Sequence, residues 1–319
     1  MKFIDLHCDT AMRMYEEKGK LKKNDFSIDI EKLKKGECMA QAFAFFIELS
    51  EVSDPYKYFL NMYDNFIKEI QENSKEIEIV RNVDELEKAN LNNKLGAFLS
   101  IEEGEVLKGS IDNLRDVYDK GIRLITLTWN FENSIGYPNI NFKYKEKGLK
   151  PRGKEIVEKC EELGIIPDAS HLSDGGFYDL VDICKKPFIA THSNAREITY
   201  HPRNLTDDMI KKLADKGGVM GINFASDFLG ESFVSTIEEM ITHIKHIKNI
   251  GGIDVIGLGS DFDGIENQVE IKDSSEFPKL YEALKKAGFS ENEMEKICEK
   301  YFGIYDNHCS NGDRDFYRN

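Results

Sequence analysis

The chain has 319 residues, with 43 Lys and Arg against 58 Asp and Glu, a formal net charge of −15. An acidic chain without a basic stretch is a poor partner for nucleic acid or anionic membrane, which both call for dense Lys and Arg. No apolar run approaches the roughly 18–20 residues that span a bilayer, and MKFIDLHCDT puts polar residues where a signal peptide needs an apolar stretch.

Neither an internal repeat nor a Pro-, Gly- or Ser-rich linker breaks the chain, so a single domain over 1–319 is expected. Short apolar runs, many of them β-branched, alternate with longer charged segments of helical period. In chain order the predicted strands are 3–7, 40–46, 96–101, 123–128, 165–170, 188–192, 219–224 and 255–260. Predicted helices fall at 56–72, at 111–120 behind the N-cap candidate Ser110, and at 153–163 before the C-cap candidate Gly164. Further helices follow at 206–216, 235–250, 278–287 and 291–301. Segments near 76–80 and 132–151 read as insertions. Eight strand–helix alternations point to an α/β fold, a closed (β/α)8 TIM-type barrel. An open doubly wound sheet is the alternative, but no GxGxxG follows any predicted strand.

A barrel puts chemistry at the C-terminal ends of its strands. The first predicted strand runs into His7-Cys8-Asp9, and alternation sends His7 and Asp9 to one face and Cys8 to the other. That pair is either half of a metal site or a buried hydrogen-bonded couple. The third ends at Glu102, followed by Glu103 and Glu105, which read as solvated or loop-directed. The fifth ends at His171, the sixth at His192, and the eighth runs into Asp261 and Asp263. His243 and His246, three apart on a predicted helix, read as a solvated face. His201 reads as a loop residue or as one lining the site, and His308 with Cys309 as part of a polar tail that binds metal only adventitiously.

Three imidazoles and two carboxylates suit zinc or a similar divalent ion. Five ligands exceed one open catalytic zinc and fit two ions bridged by Glu102. Two such ions about 3.5–4 Å apart can deprotonate a shared water and clamp a substrate oxygen. Asp261 is left over to move the proton. The absence of GxSxG argues against a serine hydrolase. Six Cys without a CxxC pair make neither a disulfide scaffold nor a structural zinc site, so a reducing cytoplasm is expected.

Taken together, IDLHCDT, the Glu of SIEEGE, DASH, THSNAR with PRN shortly after, and GLGSDFDG resemble the membrane (renal, microsomal) dipeptidase family of zinc peptidases. The resemblance runs from His7 past Asp263. It implies an amidohydrolase-type barrel with a binuclear zinc centre that hydrolyses dipeptides and tolerates a C-terminal D-residue. Matched residue by residue, it implies His7 and Asp9 on one ion, Glu102 as bridge, His171 and His192 on the other, and Asp261 as acid/base. It also implies Arg203, in HPRN, as the group that holds the substrate carboxylate. In mammalian members a His is expected just after Leu127-Thr128. Trp129 stands there instead, leaving Asn130 or Asn133 to contact substrate, or Trp129 itself to wall a side-chain pocket. Other readings are a hydrolase of N-acyl-amino acids, other amides or lactones, and a metal- or peptide-binding homologue without turnover. A homodimer is compatible with the sequence.

Overall fold

The computed structural model describes residues 1–298. Eight strands form the staves of a closed parallel barrel: β1 (Phe3–Asp5), β2 (Cys38–Phe46), β3 (Leu95–Glu102), β4 (Ile122–Thr126), β5 (Ile166–Asp168), β6 (Ile189–Ala190), β7 (Val219–Ile222) and β8 (Ile256–Leu258). Each pairs in parallel with its sequence neighbours, β8 pairs with β1, and the β2–β3 pairing completes the ring. All eight predicted strands are present. Several are shorter than predicted, because the chain turns into its loop within a few residues of the polar strand end. The short strand Ile77–Ile79 adds to the β3 edge and accounts for the insertion read near 76–80.

Helices follow the strands at the places their caps announce. Ser110 accepts from the Asn113 N–H and caps Ile111–Asp119. Gly164 ends Pro151–Leu163 in the left-handed region at φ 85°. Thr236 and Glu239 form a reciprocal capping box on Ile237–Gly251. Helices Thr10–Glu17, Ile30–Lys35, Val83–Leu91 and Asp174–Ile183 are additional to the predicted set. The last described helix is Glu291–Cys298; the remainder of the predicted 291–301 helix, His308 and Cys309 lie outside the described residues.

One apolar cluster fills the barrel. Ile4, Ala42, Phe98, Leu124, Ile166, Ile189 and Val219, from seven strands, meet Val83, Leu86 and Ala89 of the helix Val83–Leu91. That helix closes the N-terminal end, where Gly96, near the start of β3, has no room for a side chain beside Leu86. The inward positions change character two residues further along. Leu124 gives way to Thr126, Ile166 to Asp168 and Phe98, by way of Ser100, to Glu102, with Glu102 in register with Thr126 and Thr126 with Asp168. An apolar plug therefore underlies a polar layer at the C-terminal end. Larger side chains would not pass between β6 and β8 there. Gly259, just after β8, sits so close that an added Cβ would collide with the Thr191 carbonyl oxygen. Gly259→Ala is expected to cost about 1–3 kcal/mol of unfolding free energy, read from urea denaturation.

Candidate metal centre

Glu102, the last residue of β3, is buried, and three imidazoles converge on its carboxylate. Its Oε1 lies 3.1 Å from His171 Nε2 and 3.4 Å from His192 Nε2, and those two nitrogens are 3.1 Å apart. Its Oε2 lies 3.2 Å from His7 Nε2, which is 3.4 Å from Asp9 Oδ2. Two groups of three atoms thus share one carboxylate. Zinc held tetrahedrally at bond lengths of about 2.0–2.2 Å separates its ligand atoms by about 3.3–3.6 Å. Both groups come within a few tenths of an ångström of that spacing.

The hydrogen bonds behind the imidazoles decide which nitrogen is bare. Thr191 Oγ1 donates to Asp168 Oδ2 at 2.6 Å, so at 2.7 Å it accepts from His192 Nδ1–H. Asn130 Oδ1, 3.2 Å from His171 Nδ1, accepts there too. Both rings then turn an unprotonated Nε2 toward Glu102 Oε1. Three lone pairs facing one another at this range repel unless a cation lies between them. His7 Nε2 and Asp9 Oδ1, both buried, have no hydrogen-bond partner in the protein. The donor set therefore fits divalent metal. Among the described residues, His7, Glu102 and His192 form one cluster of potential ligand atoms, and His7, Asp9 and Asp261 form a second that overlaps it through His7.

Charge follows the same pattern. Burial pushes His171 down to about 3, helped by Arg203. Burial also lowers His192, with the charge of His7 adding to it. At His7 burial opposes protonation, but Glu102 and Asp9 outweigh it and raise the group well above its ordinary value. Burial, then Glu102, raises Asp9 well above the usual carboxylate range. Burial opposes the Glu102 anion, yet the His7 charge holds it well below that range.

The other sequence candidates fall into place around this centre. Asp261 Oδ1 is 3.8 Å from His7 Nε2, while Oδ2 accepts from Asn223 Nδ2 at 2.9 Å. Arg203 is buried, with its guanidinium 5.3 Å from the Phe228 ring, and Nη2 donates to the His192 carbonyl. Its Nε and Nη1 have no partner within the protein. Asp9, Glu102, Asn130, His171 and Asp261 line a cavity of about 680 Å³, together with Trp129 and Phe228. Asn130 reaches this cavity with its amide engaged on His171.

Four expectations change. His7 and Asp9 share a side, but the strand between them ends at Asp5 and Cys8 makes only an isolated bridge to Phe262. Glu103 is not solvated. It sits at φ 112° and is buried, accepting from Glu105 N–H, Trp129 N–H and Asn133 Nδ2; burial pushes it up to about 7. Asn133 is turned into that knot, away from the cavity. His243 is fully buried, where Nδ1 accepts from the Ala195 N–H and Nε2 donates to the Leu229 carbonyl, and so ties down the loop that carries Arg203. His246 pairs with Asp207 at 2.6 Å. His201 packs on Phe228 outside the cavity lining.

Sequence reasoning missed the groups behind the ligands. Asp168 accepts from Thr126, Thr191 and the Ser170 N–H. Asp5 accepts from Ser260 and Gln41, holding the chain that leads to Asp261. His171, Asp261 and Asp263 adopt positive φ, a strained choice for residues with side chains. In the sequence DASH, THSN and GSDFDG show only polar residues at strand ends.

Residues 1–302 match the sequence profile described as membrane dipeptidase, peptidase family M19. The chain belongs to this family. Two Schizosaccharomyces pombe proteins, each named an uncharacterized dipeptidase, resemble it. One is 34% identical over 65% of this chain and 51% of its own length, the other 30% identical over 79% and 64%. The match thus spans about half to two-thirds of these relatives. A metallo peptidase from Rhodobacter sphaeroides, liganded with a phosphinate mimic of the dipeptide L-Ala-D-Ala, shares the fold: TM-score 0.90, 24% identity, 97% of this chain and 99% of that one.

Gly264 offers a direct test of the donor geometry in this M19 member, since an added Cβ would strike Asp9 Oδ2. Gly264→Ala is expected to weaken metal binding about 10- to 100-fold, measured by competition with a chelator, with the far-ultraviolet dichroism unchanged.

Proposed function

We propose that the protein is a metal-dependent dipeptidase that holds two divalent ions, zinc in first place. His7 and Asp9 would hold one, His171 and His192 the other, and Glu102 would bridge them. The observation that carries this reading is the division of the Glu102 carboxylate between two sets of unprotonated or acidic donors at ligand spacing. Bound there, such ions supply Lewis acidity toward a water and a carbonyl oxygen.

The chain's own groups do the rest. Arg203 presents two unpaired donors, Nε and Nη1, on a buried guanidinium that suits the free carboxylate of a small peptide. Its burial raises the strength of that pairing, because no water competes. Asp261 keeps Oδ2 on Asn223 and leaves Oδ1 toward the ligand cluster. Oδ1 takes the proton of the attacking water and returns it to the departing amine nitrogen. Asn130 keeps His171 in one tautomer rather than binding substrate directly. The cavity of about 680 Å³ has room for a dipeptide.

N-acyl-amino acids carry the same carboxylate, so they are the competing substrate class. Dipeptides with a C-terminal D-residue belong within the proposed range, in keeping with the ligand of the Rhodobacter sphaeroides neighbour. Cys8, Cys38, Cys160 and Cys184 are free and buried, which supports a reducing compartment. Among the described residues no helix is long and apolar enough to cross a membrane.

Elemental analysis of purified protein is expected to give two zinc per chain, and a panel of L-L and L-D dipeptides beside N-acyl-amino acids is expected to be turned over on the dipeptide side. Less than one metal per chain after loading would end the binuclear reading. Asp261→Asn is expected to lower kcat about 10²- to 10⁴-fold with metal content intact; wild-type turnover in that variant would remove Asp261 from the proton transfer. Arg203→Met is expected to act mainly on KM for substrates with a free carboxylate.

A further inference from the structure

Phe46 closes β2 in register with Glu102, the last residue of β3, so the two side chains project to the same side. Phe46 therefore borders the shared carboxylate. Trp129, in the loop after β4, packs edge-on against Phe46 with ring centroids 4.8 Å apart, and its ring lies 6.1 Å from that of His171. Met12 of the helix Thr10–Glu17 lines the same cavity. All three are half-buried, so each still has apolar surface to cover. The wall is also rigid. The Trp129 N–H donates to buried Glu103 at 3.0 Å, and Asn133 holds the same carboxylate.

Position around the barrel gives the wall a direction. Arg203 and Phe228 rise from the loops after β6 and β7, whereas Phe46 ends β2, opposite β6 in the ring, and Trp129 follows β4, two staves from β6. A dipeptide with its carboxylate at Arg203 and its peptide carbonyl over Glu102 points its first residue toward Phe46 and Trp129.

We propose that Trp129, with Phe46 and Met12, forms the pocket for the side chain of the N-terminal residue and selects dipeptides that begin with a bulky apolar residue such as Leu, Met or Phe. This rests on the dipeptidase reading and on the Arg203 anchor. Such a side chain sheds water against three apolar faces. A charged one would lose hydration against those apolar faces, and Glu17 and Glu16, further along the helix of Met12, are already engaged by Arg13 and Tyr58. A glycine leaves the wall uncovered.

The test compares metal-loaded wild-type protein on dipeptides X-Ala and Ala-X, with X as Gly, Ala, Leu, Phe, Lys or Glu. For X-Ala, kcat/KM is expected to be at least about tenfold higher with Leu or Phe than with Gly, Lys or Glu. The spread is expected to be smaller along Ala-X. Trp129→Ala and Phe46→Ala should each flatten the X-Ala spread to within about threefold, and Trp129→Phe should keep most of it. A binding readout is built in, because Trp129 is the sole tryptophan. In Asp261→Asn protein, Leu-Ala should shift its fluorescence saturably and at lower concentration than Gly-Ala. A flat X-Ala profile, a preference for Lys or Glu, or equal loss on every substrate in both alanine variants overturns the pocket while leaving the dipeptidase intact. If no dipeptide is turned over and N-acyl-amino acids are, the dipeptidase reading itself fails.

Discussion

Every element of the site answers to one buried carboxylate. Glu102 stands at the end of β3 with three imidazole nitrogens within 3.4 Å of its two oxygens. Isolated in a low-dielectric interior, such an anion would be strongly disfavoured, and so would the bare imidazoles around it. Together they are tolerable only with positive charge between them. The geometry of Glu102 in turn sets where the segments after β1, β5 and β6 must deliver the side chains proposed as ligands. A shift of one residue in any of these strands would send the side chain into the apolar plug or out among the helices.

That constraint explains the unusual polar content of the barrel top. Asp168 takes four hydrogen bonds from Thr126, Thr191 and the Ser170 backbone, and Thr191 passes the orientation on to His192. Asp5 does the same for the β8 end through Ser260. These buried acids are not ligands. They are anchors that fix ring orientation and backbone turns to within the tolerance a metal site needs, a second layer without which the first would be mobile. Positive φ at His171, Asp261 and Asp263 fits this account, since strained backbone persists only where its surroundings over-determine it.

The fold was legible because its signals are local. Alternating apolar strands and capped helices are written in neighbouring residues, and Ser110, Gly164 and Thr206 cap helices as their types suggest. Five donors were legible for a similar reason, as polar groups standing alone at the ends of apolar runs. What stayed hidden depends on contacts far apart in the chain. Nothing near His243 says that its ring meets the Ala195 N–H, 48 residues away. Glu103 reads as one of three loop acids, and only the fold shows it taking two donors from a loop 26–30 residues on, beside the Glu105 N–H. Asn223 gave no sign at all, because its value lies in reaching Asp261 across β7 and β8.

The site also divides its labour by sector. In the proposed reading, the ligands and the proton-transfer group stand at or within three residues beyond strand ends, apart from Asp9, four residues after β1. The groups proposed to face the rest of a substrate, Arg203, Phe228, Trp129 and Met12, come from the loops and the first turn of a helix. Loops can change without disturbing the strand register, so they are where substrate choice is free to vary within one family. Two of these loops are nevertheless held as tightly as strands: His243 and Asn204 brace the Arg203 segment, and Glu103 braces the Trp129 segment. A mobile anchor would lose binding energy to the ordering of its side chain, whereas a braced one keeps it for the substrate. The bracing residues therefore do for recognition what Asp168 and Asp5 do for the metal ligands. In both layers a buried group without direct contact to the chemistry settles how well the contacting group performs.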